Sequence, residues 1–201
     1  MTGEIKIIPC GSIDEALLSG TGEWIRLVFG SKVTVSAGRL QYRGAVYNQE
    51  RGQYPAQEFL DSLIMEEGNS GRVLCITDAD LYVPGLIYVF GLADEFRPAA
   101  LVSTARLKRG NARVAERVAK TAIHELGHTY GLQHCRDHKC VMFFSYTLSD
   151  TDYKGKNFCT RCRKTLEKKR LAAQGSSDET ADTAGISAPQ FTQESREEGN
   201  E

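Results

Sequence analysis

Three of the chain's four histidines fall in one short stretch, His124-Glu125-Leu126-Gly127-His128-Thr129-Tyr130-Gly131-Leu132-Gln133-His134-Cys135. Histidines four apart stand about 40° from one another on a helix of 3.6 residues per turn, so His124 and His128 can reach one ion. Glu125 sits one residue round, outside the ligand pair but near enough to face a metal-bound water. His134 lies too far along to share that face if the helix simply continues. Gly131 resolves this, because a residue without Cβ takes positive φ readily and can end the helix in a tight turn. The chain then doubles back and offers His134 as a third nitrogen. Three protein ligands and one open position describe a catalytic zinc site. The competing reading is a chance match, and the fixed offsets of Gly131 and His134 argue against it.

A second cluster follows at once. Cys135 is next to the third histidine, Cys140 comes five residues later, and Cys159 and Cys162 form a CxxC. The first residues, Met1-Thr2-Gly3-Glu4-Ile5-Lys6, lack a basic and then apolar leader, so the expected compartment is the cytoplasm, where thiols stay reduced. Four thiolates in two pairs then predict a closed structural zinc site, for two zinc ions per chain. A disulfide and free thiols are the alternatives. An ion would pin the segment from Gln133 to Phe158, which has few apolar residues for a core. Cys10 and Cys75 lie on strand-like runs and read as buried small apolar residues.

Folded elements must aim these groups, and the totals allow it. A chain of 201 residues, 41% hydrophobic and 25% charged, has room for one well-buried domain and a small appendage. The formal net charge of −1 gives no global reason to expect nucleic acid or an acidic membrane as partner. No apolar run approaches the ~20 residues needed to span a bilayer. Ile5 to Ile8, stopped by Pro9, predict a first strand. Ser12 and Glu15 have capping-box spacing, and Ile13, Leu17, Trp24, Leu27 and Val28 share a helical face that Gly20 and Gly22 weaken. Lys32 to Ala37 predict a second strand, and a loop follows as far as Tyr54. Pro55 suits a first helical position, with Phe59, Leu60, Leu63 and Ile64 on an amphipathic helix ending at Gly68. Arg72–Thr77, Leu86–Gly91 and Leu101–Thr104 predict three more strands.

The order β-α-β-α-β-β-β-α implies an α/β protein with a mixed sheet, parallel where helices cross over. The helix bearing the histidines is predicted from about Ala112 to Tyr130. Ala115, Ala119, Ala122 and Leu126 form a narrow stripe that can lie close to a sheet, while His124, His128, Thr121 and Arg117 face the other way, onto a cleft. A last helix runs from Cys159 to about Ala173. The expected organisation is a sheet-and-helix unit over 1–131 and a zinc-stabilised C-terminal subdomain over 132–173. Residues 174–201, rich in Ser, Thr and Glu, read as a disordered acidic tail.

The stretch from His124 to His134 carries the metzincin signature. With Cys135, Cys140, Met142, Cys159 and Cys162 it resembles the archaemetzincin family of zinc metallopeptidases. Asp78-Ala79-Asp80-Leu81-Tyr82-Val83-Pro84-Gly85, Phe90-Gly91-Leu92-Ala93-Asp94 and Asp150-Thr151-Asp152-Tyr153-Lys154-Gly155 also match that family. The likeness covers roughly residues 4–170. It departs in one spacing, since 16 residues separate Met142 from Cys159, one fewer than in the family. The resemblance implies a metzincin-like, mostly parallel twisted sheet with backing and active-site helices. It implies a catalytic zinc on His124, His128 and His134 with Glu125 as general base, a second zinc on the four cysteines, and a Met-turn at Met142. It also implies peptide or protein substrates and an aminopeptidase-like activity.

Further expectations follow from that reading. The Leu86–Gly91 strand would pair with an extended peptide, and Tyr146 is a candidate donor to the oxyanion. The rival is a zinc-stabilised peptide- or nucleic-acid-binding protein without turnover. Lys154, Lys156, Arg161, Arg163, Lys164, Lys168, Lys169 and Arg170 make the cysteine-bearing segment basic, although such a run is more often a solvated helix face. No nucleic-acid partner and no membrane are expected, and a monomer is the expected state.

Overall fold

Strand β1 (Ile5–Cys10) is apolar at nearly every position and buried on both faces, as a central strand covered by helices on either side must be. We describe it from a computed structural model that covers residues 3–38, 47–67, 71–94, 96–110 and 113–178. Pro9 does not stop the strand as expected; it pairs with Ile76. Ile7 O accepts from Ser36 N–H, so the nitrogen of Pro9 points to that same side, beyond the last residue that pairs there. A missing N–H is tolerated at such a place.

Helix α1 (Glu15–Phe29) is capped by Asp14, whose side chain accepts from Leu17 N–H, and not by the Ser12–Glu15 box. Ser12 N–H donates instead to Asp78. The helix runs unbroken through Gly20 and Gly22 and ends at Gly30, φ 64°. Gly22 is where it lies on the sheet: an added Cβ would stand 3.4 Å from Ile7 Cδ1 and 3.5 Å from Val33 Cγ1. Strands β2 (Val33–Val35) and β3 (Tyr54–Pro55) precede helix α2 (Ala56–Glu67), so Pro55 closes a strand where a first helical position was predicted. The expected helix end at Gly68 lies outside the described residues.

Strands β4 (Arg72–Thr77), β5 (Leu81–Tyr82), β6 (Gly91–Ala93) and β7 (Ala99–Ser103) follow. The main sheet has the order β2-β1-β4-β7-β6, parallel except for β6, which runs antiparallel to β7 at the edge. This is the mixed, mostly parallel sheet expected. β3 and β5 make a small second sheet that the sequence did not announce. The predicted strand Leu86–Gly91 is corrected: only Gly91 belongs to β6, and the preceding residues form a turn and loop bridged through Val89 to Leu81. Arg51 Nη2 donates to the carbonyls of Leu86 and Ile87, each at 3.0 Å, and Gln53 Nε2 to Ile87 O at 3.1 Å. Those polar groups find side-chain partners instead of a ladder.

Helix α3 (Val114–Thr129) crosses one face of the sheet, with Ala122, Ile123 and Leu126 in the core. Its predicted start at Ala112 lies outside the described residues. Ala115 is exposed, so the apolar stripe begins at Ala119. The opposite side is also covered: Arg117 to Gly127 are all buried. The cover is α4 (Leu148–Tyr153), closed by a Thr147–Asp150 capping box. Arg117 grips Asp152 with two hydrogen bonds of 2.6 and 2.7 Å, and Lys120 donates to the carbonyls of Thr151 and Asp152.

The last helix, α5 (Thr160–Asp178), runs five residues past the expected boundary at 173; residues 179–201 of the predicted tail lie outside the described ones. Arg163 and Arg170 donate to the carbonyls of Val28 and Phe29 at the end of α1. Lys156 lies over the ring of Trp24. Much of the basic run is thus spent on internal contacts. Among the described residues no helix is long and apolar enough to cross a membrane.

Gly20 has nothing within 4 Å of an added Cβ. Gly20→Ala should therefore raise unfolding free energy by about 0.5–1 kcal/mol, the helix-propensity difference, as read from the midpoint of a denaturant titration at unchanged m-value.

Candidate metal centre

Successive turns of α3 carry His124 and His128, and the turn after the helix brings in His134. Gly131 stands at φ 76°, and its N–H donates to His128 O while Leu132 N–H reaches back to Gly127 O. That reversal needs the left-handed conformation that glycine takes without penalty. Leu132 is buried, so the turn is anchored. Its carbonyl then accepts a hydrogen bond of 2.8 Å from His128 Nδ1. The carbonyl of Val141 does the same for His124 Nδ1, also at 2.8 Å.

These two carbonyls decide the chemistry. Each requires a proton on Nδ1, which leaves Nε2 of both rings as a bare lone pair. The two Nε2 atoms face one another at 3.1 Å, where neither can donate to the other. His134 closes the group: one nitrogen of each ring lies within 4.8 Å of the others. Two nitrogens bound to one tetrahedral zinc at 2.0–2.1 Å would stand ~3.3 Å apart. Two facing lone pairs without a proton between them, with a third imidazole nitrogen beside them, fit a cation. Burial pushes His124 well below the ordinary 6.5 and His128 to about 4, and it lowers His134 as well. All three are held neutral, the form that ligates metal.

Glu125 is buried beside this cluster, and burial raises its carboxyl to about 8. Its place is set by the first residue of β6. An added Cβ on Gly91 would fall 2.7 Å from Glu125 Cγ and 2.8 Å from Oε1. Glu125 and His124 line a cavity of about 390 Å³ that also takes in the Gly85–Gly91 segment, Phe144, Tyr146 and Lys154. Tyr146 is exposed at its mouth, with its carbonyl accepting from Tyr88 Oη. Lys154, counted above with the basic surface, is instead buried in the cavity wall. It belongs to the family-matching stretch Asp150–Gly155, a signal apart from its basic neighbours, but its burial depends on α4 folding over α3.

The four cysteines Cys135, Cys140, Cys159 and Cys162 also converge, with their sulfurs within 4.8 Å of one another. Cys135 and Cys159 Sγ are 3.8 Å apart, far beyond the ~2.05 Å of a disulfide and close to the ~3.8 Å between two thiolates on one tetrahedral zinc at 2.3 Å. Burial opposes ionisation of Cys135, but the Asp137 amide and the Arg161 guanidinium outweigh it and hold this thiol below its ordinary range. Cys10 and Cys75 are buried in the sheet, apart from this group. Met142 is fully buried, and an added Cβ on Gly127 would meet its Sδ at 2.5 Å. It packs directly under the helix between the two histidines.

The profile of peptidase family M54 matches residues 13–168. An archaemetzincin of Methanopyrus kandleri is 45% identical over 138 residues, 68% of this chain and 79% of its own. The crystal structure of an archaemetzincin from that organism superposes with a TM-score of 0.75 at 37% identity, covering 84% of this chain and 95% of that one. The crystal structure of a zinc-dependent peptidase from Methanocorpusculum labreanum gives the same TM-score of 0.75 at 27% identity, covering 81% and 99%.

The shifted groups set a pH dependence for the metal-free protein. A carboxyl raised from 4.5 to about 8 stays protonated in the fold while the unfolded chain ionises, so stability falls as pH rises across that window. The lowered histidines act oppositely, but only up to the ordinary 6.5. Metal-free protein should therefore lose stability between about pH 6.5 and 8, and Glu125→Gln should remove that slope in thermal melts at stepped pH.

Proposed function

The chain belongs to peptidase family M54, the archaemetzincins, and on that premise we propose that it hydrolyses peptide bonds with His124, His128 and His134 holding a catalytic zinc and Glu125 as general base. The observation that carries this is the pair of bare Nε2 atoms facing each other at 3.1 Å, with both Nδ1 atoms committed to carbonyls. Zinc, when bound there, polarises the scissile carbonyl and lowers the pKa of a bound water to about 7.

The protein's own groups do the rest. Val141 O and Leu132 O keep two imidazoles in the ligating tautomer and orientation. Glu125, buried beside the rings in the wall of the same cavity, is placed to take the proton of the attacking water and pass it to the leaving amine; the positive charge of a bound ion would favour its ionised form. Gly91 leaves the space in which that carboxylate lies, and Met142 supports the helix from below. Cys135, Cys140, Cys159 and Cys162 would hold a second, structural zinc with four thiolates, leaving no position open for substrate. This gives two zinc ions per chain.

The substrate is a peptide or protein segment lying along the cavity. Main-chain pairing over Leu86–Ile87 is not part of the proposal, because Arg51 and Gln53 already engage those carbonyls. Nor is a donor role for Tyr146, whose side chain lies in solvent at the mouth. The aminopeptidase-like preference that the family likeness implies is the finer part of the reading. Glu125 is the only acidic residue among the described ones lining the cavity and is already the base, so no separate carboxylate there anchors a free α-ammonium.

Glu125→Gln should cut turnover by about 10²–10⁴-fold while elemental analysis still finds two zinc ions per chain; equal turnover in this variant would end the general-base assignment. Matched peptides with free and acetylated N-termini read the exopeptidase preference. Gly91→Ala, which drives a methyl into the Glu125 side chain and against the Leu101 carbonyl of the paired strand, should lower kcat tenfold or more (about 1.4 kcal/mol or above) at unchanged metal content and also lower the thermal midpoint.

A further inference from the structure

Lys154 is the group in the cavity that the reaction above leaves unused. It follows α4 directly and is 4% exposed. Its ammonium donates to Phe143 O at 3.2 Å. It also stands 3.4 Å from His124 Nδ1, but that nitrogen already donates to Val141 O and has no lone pair to offer. One carbonyl therefore serves a group with three N–H bonds.

Neighbouring cations are treated differently. Lys120 has the Glu116 carboxylate at 2.8 Å, Arg117 has Asp152 at 2.6 Å and Arg106 has Asp80 at 2.7 Å. Lys154 has no such partner among the described residues; Glu125 lines the same cavity without forming a salt bridge to it. Glu125 favours its charge from a distance, but a buried cation with no carboxylate in hydrogen-bond contact is costly. It is understandable where the space in front of it receives an anion, and Lys154 borders the cavity of about 390 Å³.

The direction of that cavity says which part of a substrate arrives there. Leu86, Ile87 and Tyr146 are exposed at its mouth, whereas Thr121, Thr151 and Lys154 are buried at its floor. Glu125 is buried at that same end, near enough for its charge and that of Lys154 to act on one another, and it must lie next to the leaving amine to deliver a proton. The residue that follows the amine is then the one that points to the floor.

We propose that Lys154 is a carboxylate-binding subsite of the cleft, selecting substrates that carry an acidic group immediately on the leaving-amine side of the scissile bond. The group is the side chain of Asp or Glu, or the terminal carboxylate of a peptide ending there. This rests on the cavity being the peptidase's substrate cleft.

The test uses zinc-loaded, full-length Glu125→Gln protein and isothermal titration with uncleaved peptides. One series differs only in Glu, Gln or Leu after the intended scissile bond. A second ends at that residue as free acid or amide. Carboxylate-bearing peptides should bind about tenfold more tightly than their amide counterparts, as a charged hydrogen bond supplies, and Lys154→Met in the same background should bring the ratio to about one. A preference in the first series assigns the side chain, and one confined to the second assigns the terminus. No preference with Lys154 in place overturns the proposal without any variant, as does a preference that survives Lys154→Met. Cleavage of all peptides by the Glu125 protein with no binding preference removes the subsite alone. Lys154-dependent binding of acidic peptides without cleavage supports the subsite and removes the peptidase reading alone.

Discussion

Two backbone carbonyls govern this protein. Leu132 O and Val141 O each demand a proton from the Nδ1 of a histidine, and in meeting that demand the rings are left with unprotonated nitrogens pointing at a common centre. Lone pairs crowded together repel, so the arrangement makes physical sense around a positive charge. Much of the rest serves to hold those carbonyls still. Leu132 is anchored by the reversal at Gly131. Val141 lies between Cys140 and Met142, and its own N–H donates to Asn157 O.

The two clusters are for this reason one mechanical unit. His134 and Cys135 are consecutive, and Cys135 N–H donates to Met142 O while Cys159 N–H donates to Cys140 Sγ. Pinning the sulfurs fixes the segment that carries the Val141 carbonyl on one side and the third imidazole on the other. Little of this segment is regular structure, and a bound ion is the natural substitute for a hydrophobic core in so short a stretch. From the opposite direction the sheet presses Gly91 against Glu125. The Glu125 carboxylate is thereby positioned by the N-terminal half and the three imidazoles by the C-terminal half.

How much of this could be read in the sequence followed from how local its cause was. The histidine triad, the glycine reversal and the cysteine pairs are matters of spacing within a few residues, and the structure brings all of them together. The central strands were legible because parallel strands buried on both faces are continuous apolar runs. Four features misled for tertiary reasons. Pro9 looked like a strand stop, yet its nitrogen faces a side where β2 has already ended. Leu86–Gly91 has the composition of a strand, but Arg51 and Gln53, brought in from a distant loop, take its carbonyls. Lys154 resembled its solvated neighbours, and only the folding of α4 over α3 buries it. Gly20 and Gly22 weakened the predicted first helix because propensity is local, while the contact of Gly22 with Ile7 and Val33 is not.

The arginines that reach from α5 to the end of α1 carry one more implication. Arg163 and Arg170 hold carbonyls of Val28 and Phe29, more than a hundred residues earlier, and Cys159 and Cys162 open the same helix. A chain emerging from the ribosome presents His124, His128 and Glu125 well before any of these groups exist outside the exit tunnel. Until they appear, the segment bearing Val141 lacks two of the four sulfurs beside it and the end of the first helix lacks the arginines that hold its carbonyls. The clasp from the last helix onto the first is therefore a late event in biosynthesis, formed only once Arg163 and Arg170 have left the ribosome.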